Sequence, residues 1–307
     1  MLQIFVGTNY DFLGKRKIAY IVSASIIIAG IISMILKGGL NYGIDFTGGT
    51  AIRLKFSHDI SIGEFRSSLG KIGLAGAEIK NFGVGDEVLI RIQEQEKGSK
   101  IVDDIKTRLA ADFPQNPFEV RGVEKVGPKI GSELRRAAVW AMLIAMALIL
   151  VYITLRFELK YAVGCVVPLF HDVLVTLAFL SFLNYEISIQ IVGALLTIIG
   201  YSLNDTIVTF DRVRENLKIL RRETLERILN ISVNETLSRT IITNFTVLMV
   251  VIILFAFGGD VIRSFAFALL VGSITGTYST VYVAGPLVLE WAKRQEQRKL
   301  GGLQRAR

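Results

Sequence analysis

A single acidic residue lies inside an apolar stretch of this sequence, where a lipid bilayer would make a charge costly. Asp205 follows Ser202 and Asn204 within the apolar run 187–210. That run is long enough to cross a bilayer as a helix. A carboxylate at such a depth costs about 2.5–3.5 kcal/mol on insertion scales, and ion transport is the usual reason for retaining one. The sequence therefore predicts an ion-carrying site at Asp205, with Asn204 beside it.

Arg239 opens the apolar run 240–257 and falls near the same side of the membrane as Asp205. A guanidinium on its long side chain can reach inward toward a carboxylate. Such pairing favours a charged carboxylate, whereas burial favours the protonated form, and a proton carrier needs both forms. An arginine at the end of a span is also a common interfacial anchor. We expect Arg239 to pair with Asp205.

Two other polar or small-residue features lie within apolar runs. Asp172 follows His171 midway along the run 161–183, and it either belongs to the ion pathway or accepts hydrogen bonds from a neighbouring Ser or Thr. Gly272 and Gly276 are four residues apart in the run 264–289. Small residues at this spacing let helices approach closely, so these glycines are predicted to pack against another helix.

The elements that must position these residues are membrane-spanning helices. The chain has 307 residues, of which 51% are hydrophobic, and its mean hydropathy is +0.50. Each of its apolar runs approaches the ~20 residues that a spanning helix needs. The six runs are 18–36, 137–157, 161–183, 187–210, 240–257 and 264–289. The first is too long for a signal peptide and lacks a small-residue cleavage pattern, so we interpret it as an uncleaved span.

The distribution of basic residues predicts the orientation of the spans. Lys and Arg concentrate in the segments 15–17, 156–160, 212–239 and 293–307, whereas the two short turns on the other side hold only Arg263. Basic loops stay in the cytoplasm, so both termini are predicted to be cytoplasmic. The net charge of +8 then fits lipid headgroups rather than nucleic acid. With one cysteine, Cys165, neither a disulfide nor a cysteine-based metal site can form.

The long segment between the first and second spans has the composition of a soluble domain. Its strand and helix patterns follow the order β-α-β-β-α-β, which is typical of a ferredoxin-like split βαβ domain. Pro128 suits the first turn of a helix that would continue into the second span. The predicted parts are an N-terminus with the first span (1–36), an extracytoplasmic domain (37–136), a five-helix bundle (137–290) with a basic cytoplasmic loop (211–239), and a basic tail (291–307).

Several motifs together resemble the SecF family, the smaller subunits of the SecDF accessory pair of the protein translocase. Asp45, Phe46, Thr47, Gly48 and Gly49 are similar to the family signature that follows the first span. The stretches 200–208 and 211–216 resemble its fourth-span signature, and 238–240 resembles the start of its fifth span. The segments 126–128 and 171–172 agree as well.

The resemblance implies membership of the resistance–nodulation–division superfamily and a pseudo-symmetric bundle of twelve helices shared with SecD. It implies a multi-pass protein of the cytoplasmic (inner) membrane, not an enzyme, that uses H⁺ or Na⁺ as coupling ion and has no other cofactor. The implied partners are SecD, the SecYEG channel, the translocating preprotein, YajC and YidC. Asp205 and Arg239 match ion-pathway residues of the family.

Three alternatives stay open from the sequence. One is half of another lipid or drug exporter of the same superfamily, although a domain of about a hundred residues is small for an exporter. Another is an intramembrane aspartyl protease using Asp172 and Asp205, although the residues before Asp205 do not follow a Gly-x-Gly-Asp pattern. A passive assembly scaffold would tolerate neutralising Asp205.

Overall fold

A computed structural model describes residues 7–82, 87–93 and 100–305 of the chain. Within these ranges, six helical segments are long and apolar enough to cross a membrane, as the hydropathy pattern predicts. Five are the helices α1 (Arg16–Leu36), α5 (Pro128–Arg156), α6 (Leu159–Phe182), α7 (Ile189–Ile219) and α8 (Leu225–Phe257). The sixth combines α9 (Asp260–Ser279), a π-helical turn (Thr280–Ala284) and α10 (Gly285–Arg305).

The segment between α1 and α5 folds into a small α/β unit, which we call the sheet domain. It starts with a one-turn helix and contains two longer helices and four strands: α2 (Ile44–Thr47), β1 (Gly49–Phe56), α3 (Ile62–Gly70), β2 (Glu78–Phe82), β3 (Glu87–Ile92), α4 (Lys100–Asp112) and β4 (Phe118–Val126). The strands form an antiparallel sheet in the order β2-β3-β1-β4. From β1 onward, this element order is the one that the sequence pattern predicts.

Alternation of side chains along β1 explains the two faces of the sheet. Ile52, Leu54 and Phe56 point to one face, where they pack with α3 and α4 in the core of the domain. Ala51 belongs to the opposite face and joins Ile44 and Leu89 in a small apolar cluster. Because successive strand residues face opposite sides, β1 contributes to the domain core and also to the junction with the membrane bundle.

The basic segment 211–239, predicted as the cytoplasmic connection between two spans, is mostly helical. Helix α7 continues to Ile219 and α8 begins at Leu225, with the hydroxyl of Thr224 accepting a hydrogen bond from the Arg227 N–H. Buried side chains recur at helical spacing among the charged ones, as Val213, Asn216, Ile228, Leu229 and Ser232 show. This apolar face keeps the segment helical, and the charges lie mainly on the other side.

Helix α5 runs without a break from Pro128 to Arg156, so one rigid element joins the sheet domain to the bundle. Pro128 lies in the first turn, where its missing N–H costs no helical hydrogen bond. The helix predicted from Pro128 through the second span is therefore confirmed.

Candidate functional site

Asp205 lies inside the helical bundle, at the contact between α7 and α8. Its side chain is buried, with 6% of its surface exposed. The Asn244 amide on α8 donates a 2.8 Å hydrogen bond to Asp205 Oδ2, and Asn244 Oδ1 accepts a 2.9 Å bond from the Tyr201 hydroxyl. Among the described residues, this amide is the one hydrogen-bond donor to the Asp205 carboxylate. A buried carboxylate with so few donors is poorly stabilised as an anion.

The predicted pairing of Arg239 with Asp205 is not observed. No ion pair within 4.0 Å joins the two side chains in the part of the chain that the structure describes, although Arg239 acts electrostatically on Asp205. Arg239 is exposed on α8, and Asn244 fills the position next to the carboxylate instead. Asn204 is exposed on α7, whereas its neighbour Asp205 is buried. The reason is the rotation of each helix about its axis, which fixes the side chain that faces inward.

Asp172 is the second buried carboxylate of the bundle and has more partners. Its side chain is 0% exposed. The hydroxyls of Ser202 on α7 and Ser279 on α9 donate to Oδ2 at 2.6 and 2.8 Å, and His171 Nδ1 lies 3.0 Å from Oδ1. Asp172 therefore ties α6 to two other helices. Since Asp172 and Asp205 have separate partners, they do not form the shared carboxylate pair that an aspartyl protease needs.

Gly272 and Gly276 lie where α9 packs against α7. A Cβ atom at Gly276 would come within 3.0 Å of the Ser202 Cβ, and one at Gly272 would overlap the Ile198 side chain. Glycine at both positions thus allows a close helix–helix approach. This approach brings Ser279 of α9 and Ser202 of α7 to the same carboxylate.

The signature after α1 forms the joint between the sheet domain and the bundle. Asp45 Oδ2 accepts a 2.9 Å hydrogen bond from the backbone N–H of Ile189, the first residue of α7. A carboxylate there interacts favourably with the helix dipole. Phe46 and Thr47 complete the short helix α2, in which Phe46 is buried and the Thr47 hydroxyl donates to the Gly43 carbonyl.

The two glycines of the signature are needed for conformation and for space. Gly48 and Gly49 have φ angles of 74° and 130°, which other residues rarely adopt. A Cβ at Gly48 would also lie 2.7 Å from the Cα of Pro128, the first residue of α5. One short segment therefore contacts the starts of β1, α5 and α7. An ion pair between Arg91 of the sheet and Glu186, in the turn before α7, closes the same joint.

The sequence assigned no role to several residues of these sites: Tyr201, Ser202, Asn244, Ser279, Arg91 and Glu186. The two serines and Asn244 were visible as polar residues inside apolar runs. Their partners were not, because hydrogen bonds between helices depend on packing. No group of three or more His, Cys, Asp or Glu side chains close enough to hold a metal ion occurs in the described ranges.

Comparison with known proteins agrees with these features. The family model described as protein export membrane protein SecD/SecF, C-terminal, matches residues 106–294, and the SecD/SecF GG motif matches residues 34–60. The first match includes Asp172, Asp205 and Arg239, and the second includes Asp45 to Gly49.

Relatives of the chain are named protein translocase subunit SecF. The protein of Calditerrivibrio nitroreducens is 45% identical over 288 residues, which cover 92% of this chain and 93% of the relative. That of Thermodesulfovibrio yellowstonii is 42% identical, with 94% and 97% covered.

Solved structures of SecDF give the same result for the fold. The crystal structure of SecDF, a translocon-associated membrane protein from Thermus thermophilus, matches with a TM-score of 0.84 and 37% identity. A super-membrane-facing form of SecDF matches with a TM-score of 0.70 and 36% identity. This chain spans 39% and 41% of those longer chains. From these matches, and from the motifs that they cover, the chain belongs to the SecF family of protein translocase subunits.

Proposed function

We propose that this chain pairs with a SecD-type subunit and uses the proton- or sodium-motive force to promote late steps of preprotein translocation through SecYEG. The chain would lie in the cytoplasmic membrane, with both termini in the cytoplasm and the sheet domain outside. YajC and YidC are further partners on this proposal. The names of the relatives favour it over a lipid or drug exporter of the same superfamily.

The single observation that carries the proposal is the environment of Asp205. The carboxylate is buried and receives one hydrogen bond, from Asn244, while the charge of Arg239 lies near but not in contact. Burial disfavours the charged form of the carboxylate, whereas the Asn244 hydrogen bond and the nearby charge of Arg239 favour it. One charge crossing 100 mV releases about 2.3 kcal/mol, which is enough to shift a conformational equilibrium of a few kcal/mol.

Two helices can carry the resulting movement to the sheet domain. Asp205 and Ile189 are on the same helix, α7, and their separation of sixteen residues corresponds to about 24 Å. Asp45 binds the Ile189 end of that helix, and Gly48 packs on the start of α5. A shift of α7 against α8 would therefore move the signature, and the sheet domain attached to it would grip or release an extended polypeptide.

Substitution of Asp205 by Asn tests this proposal. In vesicles containing the channel and the SecD-type partner, Asp205→Asn is expected to reduce ion-driven export to the level measured without the pair. Assembly with the partner should stay normal, because Asn keeps the size of the side chain. The matched control is Asp211→Asn, since Asp211 is on the same helix but forms an exposed 2.8 Å ion pair with Arg156. Normal ion-driven export by Asp205→Asn would refute the mechanism.

A further inference from the structure

His171 and Asp172 lie side by side in α6, surrounded by hydroxyl groups of other helices. His171 is 8% exposed and Asp172 is 0% exposed. His171 Nδ1 is 3.0 Å from Asp172 Oδ1, and Nε2 is 3.0 Å from Ser23 Oγ on α1. The ring of Tyr278 on α9 stacks on the imidazole with centroids 6.0 Å apart, and its hydroxyl is 3.0 Å from Ser23 Oγ. These four side chains form a continuous hydrogen-bonded chain.

One contact sets the direction of the hydrogen bonds that link Tyr278, Ser23 and His171. The Ala19 carbonyl on α1 lies 2.7 Å from the Tyr278 hydroxyl. A carbonyl only accepts, and a hydroxyl has one proton, so Tyr278 donates to Ala19. Ser23 must then donate to the Tyr278 oxygen. It follows that His171 Nε2 must carry a proton and donate it to Ser23.

Counting one proton for each hydrogen bond also gives the number of protons on His171 and Asp172. Besides the proton on Nε2, one proton must lie between His171 Nδ1 and Asp172 Oδ1. The pair is therefore either an imidazolium with a carboxylate or a neutral imidazole with a carboxylic acid, and both have a net charge of zero. We propose that His171 and Asp172 together form a proton-binding site separate from Asp205, and that the site holds its proton in this conformation.

Release of that proton to water has a defined structural consequence. The pair then has a net charge of −1, and His171 can donate from Nδ1 to Asp172 only if Nε2 accepts from Ser23. Ser23 then uses its hydroxyl proton to donate to Nε2. The Tyr278 hydroxyl proton is the one left for two contacts, so either the Ser23–Tyr278 or the Tyr278–Ala19 hydrogen bond is lost. Deprotonation thus weakens the contact between α1 and α9. The π-helical turn that follows Ser279 lies beside this contact, and such turns are frequent at functional sites.

The other titratable groups on the helices around the pair either have partners of their own or lie next to Tyr278 rather than next to the pair. Tyr282 follows Tyr278 with ring centroids 5.2 Å apart, and Asp205 on α7 is bound by Asn244. At the far end of α1, Arg16 pairs with Glu226 and lies 3.8 Å from Glu290 of α10. At the end of α5, Arg156 pairs with Asp211. Within the described part of the chain, His171 is the one ionisable side chain in contact with Asp172.

Nitrogen-15 NMR of the imidazole tests the assignment. The chain has two histidines, and His58→Gln removes the other one, whose hydrogen bonds to Asn116 are made by its backbone. The full chain would be histidine-labelled and reconstituted in bilayers with its SecD-type partner. We expect His171 Nε2 to carry a proton while the pair holds its proton, and the Nδ1–H form to replace it once that proton is released. A spectrum with Nε2 unprotonated at every pH would overturn the proposal.

A matched pair of variants tests the role of the hydroxyl chain. Tyr278→Phe frees the Ser23 proton for Nε2, so the network no longer requires the extra proton. We expect the ratio of Nε2-protonated to deprotonated His171 at a given pH to fall roughly tenfold, the effect of one net hydrogen bond. Tyr282→Phe should leave the ratio unchanged. Equal effects of the two variants, or no effect of Tyr278→Phe, would contradict the inference.

This inference depends on the proposed function only for the use of the proton in export. The NMR measurement detects the proton without any export. A negative NMR result would refute the proton site at His171 and Asp172, and it would have no bearing on the Asp205→Asn test. Conversely, a protonated pair in a protein whose Asp205→Asn variant exports normally would place the coupling ion at His171–Asp172 instead.

Discussion

In the part of the bundle that the structure describes, two carboxylates are buried, and their surroundings differ in the number of hydrogen-bond donors. Asp172 is in contact with two hydroxyls and an imidazole from α6, α7 and α9. Asp205 has one amide, that of Asn244 on α8. Both residues are almost fully buried. Burial alone therefore does not distinguish a carboxylate bound by donors from several helices from one bound by a single donor.

The difference suggests how the two sites divide their tasks. Donors from three helices fix Asp172 in place, so release of the proposed proton would be transmitted to α1 and α9 through bonds that already exist. Asp205 can change its charge with the loss of one bond. Sliding of α7 against α8 would break the one bond of Asp205, whereas movement of α6 against α7 or α9 would break the bonds of Asp172.

The largest expected effect is on stability, where Asp172→Ala should cost far more than Asp205→Ala. Removing Asp172 leaves Ser202 and His171 buried without their acceptor, which costs about 3 kcal/mol. Removing Asp205 leaves Asn244 still bonded to the Thr240 carbonyl at 3.0 Å, so about 1 kcal/mol or less is expected. Unfolding free energies of the full chain in mixed micelles would measure both. Equal losses would show that donor number does not separate the two sites.

The sequence predicted the elements of the fold better than the contacts between them. Six spans and the antiparallel sheet follow from apolar run lengths and side-chain alternation, which are local properties. The pairing of Asp205 with Arg239 did not follow, because the face of α8 that turns inward is set by its packing on α7 and α9. Residues 211–239 were predicted as a basic connection between two spans, and their charge did not show that Val213, Ile228 and Leu229 are buried against other helices.

An intermediate effect is expected from Gly276→Val, which should disturb one site and not the other. The new side chain would meet Ser202 at 3.0 Å and cost about 2 kcal/mol by overpacking. Because Ser202 donates to Asp172, a double-mutant cycle of Gly276→Val with Ser202→Ala should show a coupling of roughly 1 kcal/mol. The matched cycle with Asn244→Ala should be additive within about 0.5 kcal/mol. Coupling of the same size in both cycles would mean that the two sites respond as one unit.

The smallest effect concerns a third carboxylate, which lies in the sheet domain and not in a membrane-spanning helix. Asp112 at the end of α4 accepts a 2.7 Å hydrogen bond from Ser68. That bond, against a smaller opposing effect of desolvation and with help from Lys71 and Arg108, lowers the pKa of Asp112 from 3.8 to about 2. Here several donors surround a partly exposed carboxylate, and their stabilisation of the charged form outweighs the smaller cost of desolvation.

The sign of its pH dependence follows from the lowered pKa. The folded sheet domain gains stability from ionised Asp112 at any pH above the unfolded value of 3.8, and it loses that contribution as the pH falls through about 2. Asp112→Asn should therefore be slightly less stable than the parent at neutral pH, and the difference should vanish near pH 2. Amide hydrogen exchange of Ser68 and its neighbours in the full chain, compared between the two proteins at each pH, would measure it. A difference that persists unchanged at pH 2 would show that the Ser68 contact acts through geometry rather than through charge, and donor number would then matter only for carboxylates inside the bilayer.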